Sequence, residues 1–235
     1  MIFHKYHGLG NDYIVLDPGT FGSDLTSDQI RRICSRHFGI GADGILFGPF
    51  DEHQGAVGVR IFNPDGSEAE KSGNGLRIFS RFLYDQGRVG GDPFKIDTKG
   101  GPVTARVGSG GRTVGVEMGA ITFNSQDIPV SGHVREVLNE TLVAGGESVV
   151  FCAAGIGNPH CIILREAISP DETRRLGPVI ERHALFPNRT NVQFTKIVDR
   201  RNIAVEIWER GAGYTLASGS SASAAAATAY RLGHC

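Results

Sequence analysis

Two Ser-Gly pairs in this chain have the composition and setting of an anion site. Ser72-Gly73 and Ser218-Gly219 lie 146 residues apart, and each precedes a stretch with a helical pattern. Unpaired backbone N–H groups and the positive end of the helix dipole attract a carboxylate to a helix N-terminus. A single serine in this position is more often an ordinary N-cap. Because the same context occurs twice, we favour a site at both pairs.

The spacing of 146 to 147 residues recurs along most of the chain. The matching segments keep one order: GLGNDYIVL with GIGNPHCIIL, Arg36-His37 with Arg182-His183, VRIF with VEIW, and Ser72-Gly73 with Ser218-Gly219. This register indicates two copies of one half-domain related by a pseudo-two-fold axis. Such an axis would place two equivalent loops on opposite sides of one crevice, which suits chemistry on both faces of a single atom.

Polar residues near these anchors are suited to an amino acid ligand. They are Asn11, Asn63, Asn158, Asn191, Glu209 and Arg210. Amides, a carboxylate and a guanidinium together can bind the charged groups of a zwitterion. Each asparagine alone could instead cap a turn. The adjacent Glu209 and Arg210 could form a solvated ion pair.

The elements that must position these residues form an α+β pattern. Strands are predicted at 2–6, 12–17, 44–48, 56–62, 94–98, 103–107 and 113–117. Thr26 with Gln29 predicts a helix through Arg36, and Ser169 with Pro170 and Glu172 predicts one through about His183. Two more helices should begin after Ser72 and Ser218.

We therefore predict two pseudo-symmetric halves, 1–118 and 119–235, each a curled, mostly antiparallel sheet around a central helix. The linker is expected near 118–123, and the polar stretch 131–147 is expected to decorate the surface. The second copy is shorter than the first and lacks a counterpart of the strands at 94–117. This predicts that the closing C-terminal strands are missing.

Composition favours a small-molecule ligand. A net charge of -1 and a pI near 6.7 provide no long-range field for nucleic acid or anionic lipid. The N-terminus has no apolar signal core and no stretch has membrane-spanning length, so we expect a soluble cytoplasmic protein. Four cysteines, Cys34, Cys152, Cys161 and Cys235, lack metal or disulfide spacing and are predicted to be buried structural thiols.

Six sequence blocks together resemble diaminopimelate epimerase over nearly the whole chain. They are HGLGNDYIVLD, RHFGIGADGIL, FNPDGSEAEKSGNGLRIFSRF, GNPHCIIL, RTNVQF and WERGAGYTLASGSSASAAA. The resemblance implies an epimerase that needs no pyridoxal cofactor and no metal. It would remove the α-proton from one face of an amino acid and return a proton to the other face. The implied reaction interconverts LL- and meso-diaminopimelate in lysine and cell-wall biosynthesis, and the implied assembly is a homodimer.

The resemblance also implies roles for individual residues. Ser72 and Ser218 occupy the positions of the two cysteine bases, and His160 and Glu209 match residues that assist the thiols. The distal end of the substrate would be held by Asn63, Asn158, Asn191 and Arg210. The reacting end would be held by Asn11, Glu209 and the backbone at Gly73, Asn74, Gly219 and Ser220.

Serine at both base positions departs from the family pattern. A cysteine thiol has a reference pKa of about 8.5, which a helix N-terminus lowers further, whereas a serine hydroxyl titrates far higher. We therefore expect the chain to bind its substrate better than it turns it over. An engineered trap, a natural paralogue with altered chemistry and a natural non-catalytic binder are the alternatives.

Three more residues differ from those usual in the family, which favours natural divergence over an engineered trap. They are Lys71, Tyr214 and Ser223. Lys71 is expected to be solvated, although Lys71 or His160 could be the base of an isomerase that shifts a proton within an unsaturated acid.

Overall fold

Strands and helices follow one another twice along the chain in the same order. The structure, a computed structural model, describes residues 2–51 and 55–235. The chain folds into two compact units, Met1–Gly119 and Ala120–Cys235. Each unit contains one sheet and a 13-residue helix that packs against it.

The first unit contains an eight-stranded sheet in the order β1-β2-β3-β4-β6-β7-β8, with β5 paired to β4. Its strands are β1 His4–Gly8, β2 Asn11–Leu16, β3 Ile45–Asp51, β4 Val57–Phe62, β5 Glu68–Ala69, β6 Phe94–Asp97, β7 Val103–Gly108 and β8 Thr113–Glu117. Its helices are α1 Pro18–Phe21, α2 Ser27–Cys34 and α3 Gly73–Asp85. Because α3 packs against β1 and β2 as well as β7 and β8, the sheet curls around this helix.

The second unit contains a six-stranded sheet in the order β14-β13-β12-β11-β10-β9. Its strands are β9 Glu140–Ala144, β10 Glu147–Gly155, β11 Pro159–Leu164, β12 Asn191–Asp199, β13 Asn202–Glu209 and β14 Gly213–Thr215. Its helices are α4 Pro170–Glu181 and α5 Gly219–Arg231. The α5 helix packs on β10 to β13. Alanines at 224, 225 and 229 are fully buried there, and their small side chains let the helix lie close to the sheet.

The strand pairing repeats between the units. The pairs β2·β3 and β11·β12 are both parallel, whereas β3·β4 and β12·β13 are both antiparallel. Val15 lies opposite Leu46 as Cys161 lies opposite Val192, so the paired positions are 31 residues apart in the sequence in both units. The predicted α+β fold of two similar halves is therefore confirmed.

The helix starts agree with the predicted caps. Thr26 and Gln29 form the reciprocal capping box of α2, and the Ser169 hydroxyl accepts the Glu172 N–H at the start of α4. The predicted helix ends are two residues too late in both cases. Ser35 turns to an extended conformation with ψ 119°, and Arg182 leaves helical geometry at φ -103° and ψ 10°.

The prediction that 131–147 only decorates the surface is wrong. This stretch contains β9, which pairs with β10 along five residues. Val137, Leu142 and Ala144 are buried in the core of the second unit. Polar residues alternate with buried ones in β9, so its average composition hides the face that packs inward.

The described cysteines differ in environment. Cys34, Cys152 and Cys161 are buried free thiols, as predicted, whereas Cys235 is exposed and contradicts the prediction. Burial raises the pKa of Cys34 to about 12, so its thiol is protonated at neutral pH.

In residues 2–51 and 55–235, no helix combines the length and hydrophobicity needed to cross a membrane.

Candidate functional site

Ser72 and Ser218 begin the central helices of their units with the same geometry. Ser72 has φ -140° and ψ 116°, and Ser218 has φ -144° and ψ 123°. The Ser72 hydroxyl oxygen accepts the Gly75 N–H at 3.0 Å, and the Ser218 oxygen accepts the Ser221 N–H at 3.4 Å. Both serines are therefore N-caps of helices 13 residues long. Their additional role as base positions stays a prediction.

A chain of side-chain hydrogen bonds surrounds the first serine. We call Asn11, Tyr13, Ser72, Gly73 and Asn74 the Ser72 site. Asn74 Nδ2 donates to Asn11 Oδ1 at 3.1 Å, which joins the start of α3 to the start of β2. The Tyr13 hydroxyl lies 3.0 Å from the Ser72 hydroxyl. The structure thus brings together the predicted Asn11, Ser72, Gly73 and Asn74 and adds Tyr13, which the sequence analysis did not identify.

A cluster of charged side chains contacts Asn11 and the residues next to it. Asn11 Nδ2 donates to Asp43 Oδ2 at 3.0 Å, and Arg36 bridges Asp43 and Asp12 with contacts of 2.6 and 2.8 Å. Burial alone would raise the pKa of Asp12, but hydrogen bonds from Arg36 and Lys5 outweigh burial and lower it to about 2. Arg36, one of the repeated anchors, therefore holds the start of β2, which carries Asn11.

The second serine lies beside a buried polar network. We call Asn158, His160, Gln193, Ser218 and Ser221 the Ser218 site. Asn158 Oδ1 lies 2.8 Å from His160 Nε2, and Gln193 Nε2 lies 3.1 Å from His160 Nδ1. Gln193 Nε2 also donates to Ser221 Oγ at 3.0 Å. This network links β11 and β12 to the first turn of α5.

His160 is neutral at ordinary pH. Burial, and then the nearby positive charge of Arg210, lower the pKa of His160 to about 3, although the hydrogen bond to Gln193 opposes the shift. A proton on Nε2 would be donated to the Asn158 oxygen, which leaves Nδ1 to accept from Gln193. An imidazole with this pKa is a weak proton acceptor. Its assisting role stays a prediction.

The Asn191 side chain ties together the ends of three strands. Its Nδ2 donates to the Pro159 carbonyl at 2.8 Å, and its Oδ1 accepts the Arg210 N–H at 3.0 Å. The Arg210 guanidinium donates to the Asn188 carbonyl at 3.1 Å, and Glu209 is half-buried at the end of β13. Asn191 therefore positions the turn that carries Glu209 and Arg210.

The other predicted residues lie at the ends of elements. Asn63 follows β4, and its Nδ2 donates to Ser67 Oγ at 3.0 Å within the turn to β5. Gly219 and Ser220 form the first residues of α5, where Ser220 is buried with its hydroxyl 3.4 Å from that of Ser218. The substrate contacts assigned to these residues stay predictions.

Lys71 is buried, so the expectation of a solvated lysine is wrong. Its Nζ donates to the Met118 carbonyl at 3.3 Å, and its aliphatic part packs so closely on Gly100 that a Cβ there would lie 2.9 Å from Lys71 Cγ. Burial lowers the pKa of Lys71. Backbone from the end of β8 covers the ammonium group, a contact that local sequence does not reveal.

Tyr214 takes a structural position on the opposite side of the second sheet from α5. Its hydroxyl donates to Glu206 at 2.7 Å, and the Arg174 guanidinium stacks over its ring at 4.1 Å from the centroid. The hydrogen bond to Glu206 raises the pKa of Tyr214. These contacts account for a tyrosine at this position.

The sequence analysis missed several positioning residues. They are Tyr13, Asp43, Glu181 and Gln193. Tyr13 stands 147 residues before His160, so the repeat itself was the signal that could have identified it. Across residues 2–51 and 55–235, no three His, Cys, Asp or Glu side chains are grouped to hold a metal ion. The expected independence from a cofactor stays a prediction.

Comparison with known proteins agrees with the two-unit architecture. The family model for diaminopimelate epimerase matches residues 3–124 and 152–235. The chain belongs to the diaminopimelate epimerase family. This membership makes it an isomerase of the amino-acid epimerase and racemase class.

Several relatives of this family are similar over most of their length. "Diaminopimelate epimerase 2" of Nostoc sp. is 58% identical over 235 residues, which is all of this chain and 82% of that protein. "Diaminopimelate epimerase" of Moorella thermoacetica is 41% identical over 231 residues, 96% of this chain and 82% of that protein.

Solved structures share the fold at low sequence identity. A probable proline racemase from Agrobacterium radiobacter superposes with a TM-score of 0.74 at 16% identity, covering 99% of this chain and 78% of that chain. A hydroxyproline epimerase from Agrobacterium vitis gives a TM-score of 0.72 at 16% identity, with 99% and 77% coverage.

Proposed function

We propose that this chain epimerises diaminopimelate at its α-carbon and interconverts the LL and meso forms without pyridoxal. Support comes from the relative named "Diaminopimelate epimerase 2", which is 58% identical across the whole chain. The reaction would serve lysine and peptidoglycan biosynthesis in the cytoplasm. We further propose that the enzyme is a homodimer, which light scattering on the purified protein would test.

The matched geometry of Ser72 and Ser218 is the observation that carries this proposal. Each unit offers one hydroxyl at the N-terminus of a long helix, with backbone angles that agree within 10° between the two. Proton removal from an α-carbon places negative charge on the neighbouring carboxylate. Helix N-termini directed at that carboxylate would stabilise the charge as it develops.

Polar residues around the two serines would hold the substrate. Asn11, Glu209 and the backbone at Gly73, Asn74, Gly219 and Ser220 would bind the reacting end. Asn63, Asn158, Asn191 and Arg210 would bind the distal amino and carboxylate groups. An arginine can take a carboxylate with two parallel hydrogen bonds, and a lysine cannot replace this arrangement. His160 and Glu209 would assist proton transfer at the two serines.

We expect turnover to be slow with serine at both positions. A serine hydroxyl becomes a base only beside a strong activating group, whereas a thiol at a helix N-terminus ionises readily. Introducing thiols at both positions should therefore raise the rate. We expect Ser72→Cys with Ser218→Cys to increase solvent deuterium incorporation at the α-carbon of diaminopimelate at least tenfold, read by mass spectrometry.

Ser169 provides a matched control because it caps α4 with the same type of hydrogen bond. Ser169→Cys should leave the exchange rate unchanged. If the double variant binds diaminopimelate by calorimetry yet incorporates no deuterium, the epimerase proposal is wrong.

A non-catalytic amino-acid binder is the second candidate. The observation in its favour is that both serine oxygens already accept a backbone N–H, as an ordinary cap does. A binder would release or absorb heat with diaminopimelate, lysine or histidine and form no product in a coupled turnover assay. Turnover by the unmodified chain would eliminate it.

A further inference from the structure

The hydroxyls of Tyr13 and Ser72 lie within hydrogen-bond distance. Their oxygens are 3.0 Å apart, and either hydroxyl can be the donor. The Ser72 oxygen also accepts the Gly75 N–H at 3.0 Å. The Ser72 hydroxyl therefore forms a hydrogen bond with the Tyr13 phenol and also caps α3.

The tyrosine ring is firmly held. Tyr13 is only 3% exposed and belongs to the core cluster that contains Leu46 and Leu76. Gly44 lies against the ring, and a Cβ on this glycine would come within 2.6 Å of Tyr13 Cε1. The chain thus leaves room for the ring at Gly44, and the phenol has little freedom to move away from Ser72.

The corresponding residue of the second unit makes different contacts. His160 stands 147 residues after Tyr13 and, like Tyr13, lies on the side of its sheet that faces the central helix. Its ring nitrogens contact Asn158 and Gln193. The two units therefore carry different side chains at this repeated position, a phenol in the first unit and an imidazole in the second.

Phenols ionise more readily than aliphatic alcohols. A tyrosine has a reference pKa of about 10, far below that of a serine hydroxyl. Negative charge is therefore more stable on a phenolate oxygen than on a serine alkoxide, so a phenolate beside Ser72 is an accessible base. The 3.0 Å contact provides a direct path between the two oxygens.

We propose that Tyr13 and Ser72 form a proton relay in which Ser72 exchanges the proton with the substrate and Tyr13 stores it. This inference rests on the proposed function. In one direction the Ser72 oxygen takes the α-proton while its own O–H proton passes to the Tyr13 phenolate, and the electron pair of the broken C–H bond stays on the substrate. In the other direction Tyr13 gives its proton to Ser72 Oγ while Ser72 protonates the carbanion.

The relay predicts a characteristic pH dependence. Only the phenolate can accept a proton, so deuterium exchange at the α-carbon of diaminopimelate should rise about tenfold per pH unit between pH 7 and 9. Tyr13→Phe keeps the ring and removes the hydroxyl. It should lower exchange about a hundredfold and abolish this pH slope, with diaminopimelate binding unchanged. Tyr6→Phe is the matched control, because Tyr6 donates to Asp85 in the same unit.

A second measurement does not depend on turnover. In a Ser72→Cys chain that also carries Cys235→Ser, the introduced thiol can be titrated by its rate of alkylation, because the other cysteines are buried. The phenol should stabilise the thiolate, so adding Tyr13→Phe should raise the pKa of the introduced thiol by about 1.

The outcomes distinguish the two proposals. Lack of exchange by the unmodified chain and by the Ser72→Cys, Ser218→Cys variant overturns the proposed function and the relay with it. Exchange that Tyr13→Phe leaves unchanged, together with an unaltered thiol pKa, overturns the relay alone.

Discussion

At the residue scale, Glu181 organises one end of the second sheet. Its buried carboxylate accepts the Trp208 indole N–H at 2.7 Å and the Gly211 N–H at 3.1 Å, and it lies 3.3 Å from the Arg189 guanidinium. Gly211 directly follows Glu209 and Arg210, which are proposed to bind substrate. Glu181 therefore positions these two residues through the backbone that carries them.

Glu181→Gln should weaken the second unit. The amide keeps the shape of the carboxylate but loses its charge and one of its two acceptor oxygens, so a buried donor is left without its acceptor, and we expect a loss of about 1 to 3 kcal/mol in the free energy of unfolding. The single tryptophan of the chain is Trp208, so its emission reports this region in a urea titration. Glu147→Gln, which breaks an exposed contact with Arg175, should cost under about 1 kcal/mol. Equal losses in both variants would contradict the positioning role.

At the element scale, the contact between α4 and β13 depends on a glycine. Gly177 lies in the middle of α4, and a Cβ there would come within 2.6 Å of Trp208 Cβ and Cγ. Glycine normally weakens a helix by about 0.5 to 1 kcal/mol relative to alanine. Close packing of helix on strand therefore overrides helix propensity at this position.

Gly177→Ala should reverse the usual sign of a glycine-to-alanine change in a helix. We expect a loss of about 1 to 3 kcal/mol, because Trp208 or the helix must shift to admit the methyl group. Thermal unfolding by circular dichroism would measure it. Gly90→Ala is the control, since a Cβ there meets nothing within 4 Å. A Gly177→Ala chain that is as stable as the parent would show that α4 can move away from β13 at little cost.

At the scale of the whole molecule, each unit has hydrophobic clusters of its own. In the first unit, Val15 and Phe79 belong to a cluster under α3, and Leu16 and Ile30 belong to one beside α2. In the second unit, Ile163 and Leu176 pack under α4. Trp208 packs against this last cluster, so its fluorescence follows the second unit.

Acid should destabilise the second unit through His160. The pKa of His160 is about 3 in the folded chain against 6.5 for an ordinary histidine, so the unfolded state binds more protons between these values. This contribution is complete above about pH 6.5 and is lost as the pH falls towards 3, by up to about 1.4 kcal/mol per pH unit. Urea titrations of Trp208 emission at pH 4.5 to 7 would reveal the slope.

His160→Gln should flatten this dependence because glutamine does not titrate. His133→Gln replaces an exposed histidine of the same unit and is the matched control. An identical pH slope in the parent and in His160→Gln would mean that His160 keeps an ordinary pKa.

Local patterns in the sequence predicted much of this protein. Capping depends on residues within three positions of one another, so the starts of α2 to α5 at Thr26, Ser72, Ser169 and Ser218 followed from the sequence. The repeat predicted two similar α+β halves, and the sequence blocks predicted the family. Each of these predictions could be made without knowing which distant residues are in contact.

Only the tertiary structure decided which side chains meet. Ser72 and Tyr13 are 59 residues apart, and Met118 covers Lys71 from a distance of 47 residues. Paired positions of β2·β3 and of β11·β12 are 31 residues apart in both units, which agrees with the 147-residue correspondence of Tyr13 and His160. Because neighbouring residues of a strand face opposite sides of the sheet, a shift of one residue in β2 would turn Tyr13 away from the central helix. The sequence pattern does not determine the strand register to within one residue. The register in the folded chain therefore decides that Tyr13 is the side chain that contacts Ser72.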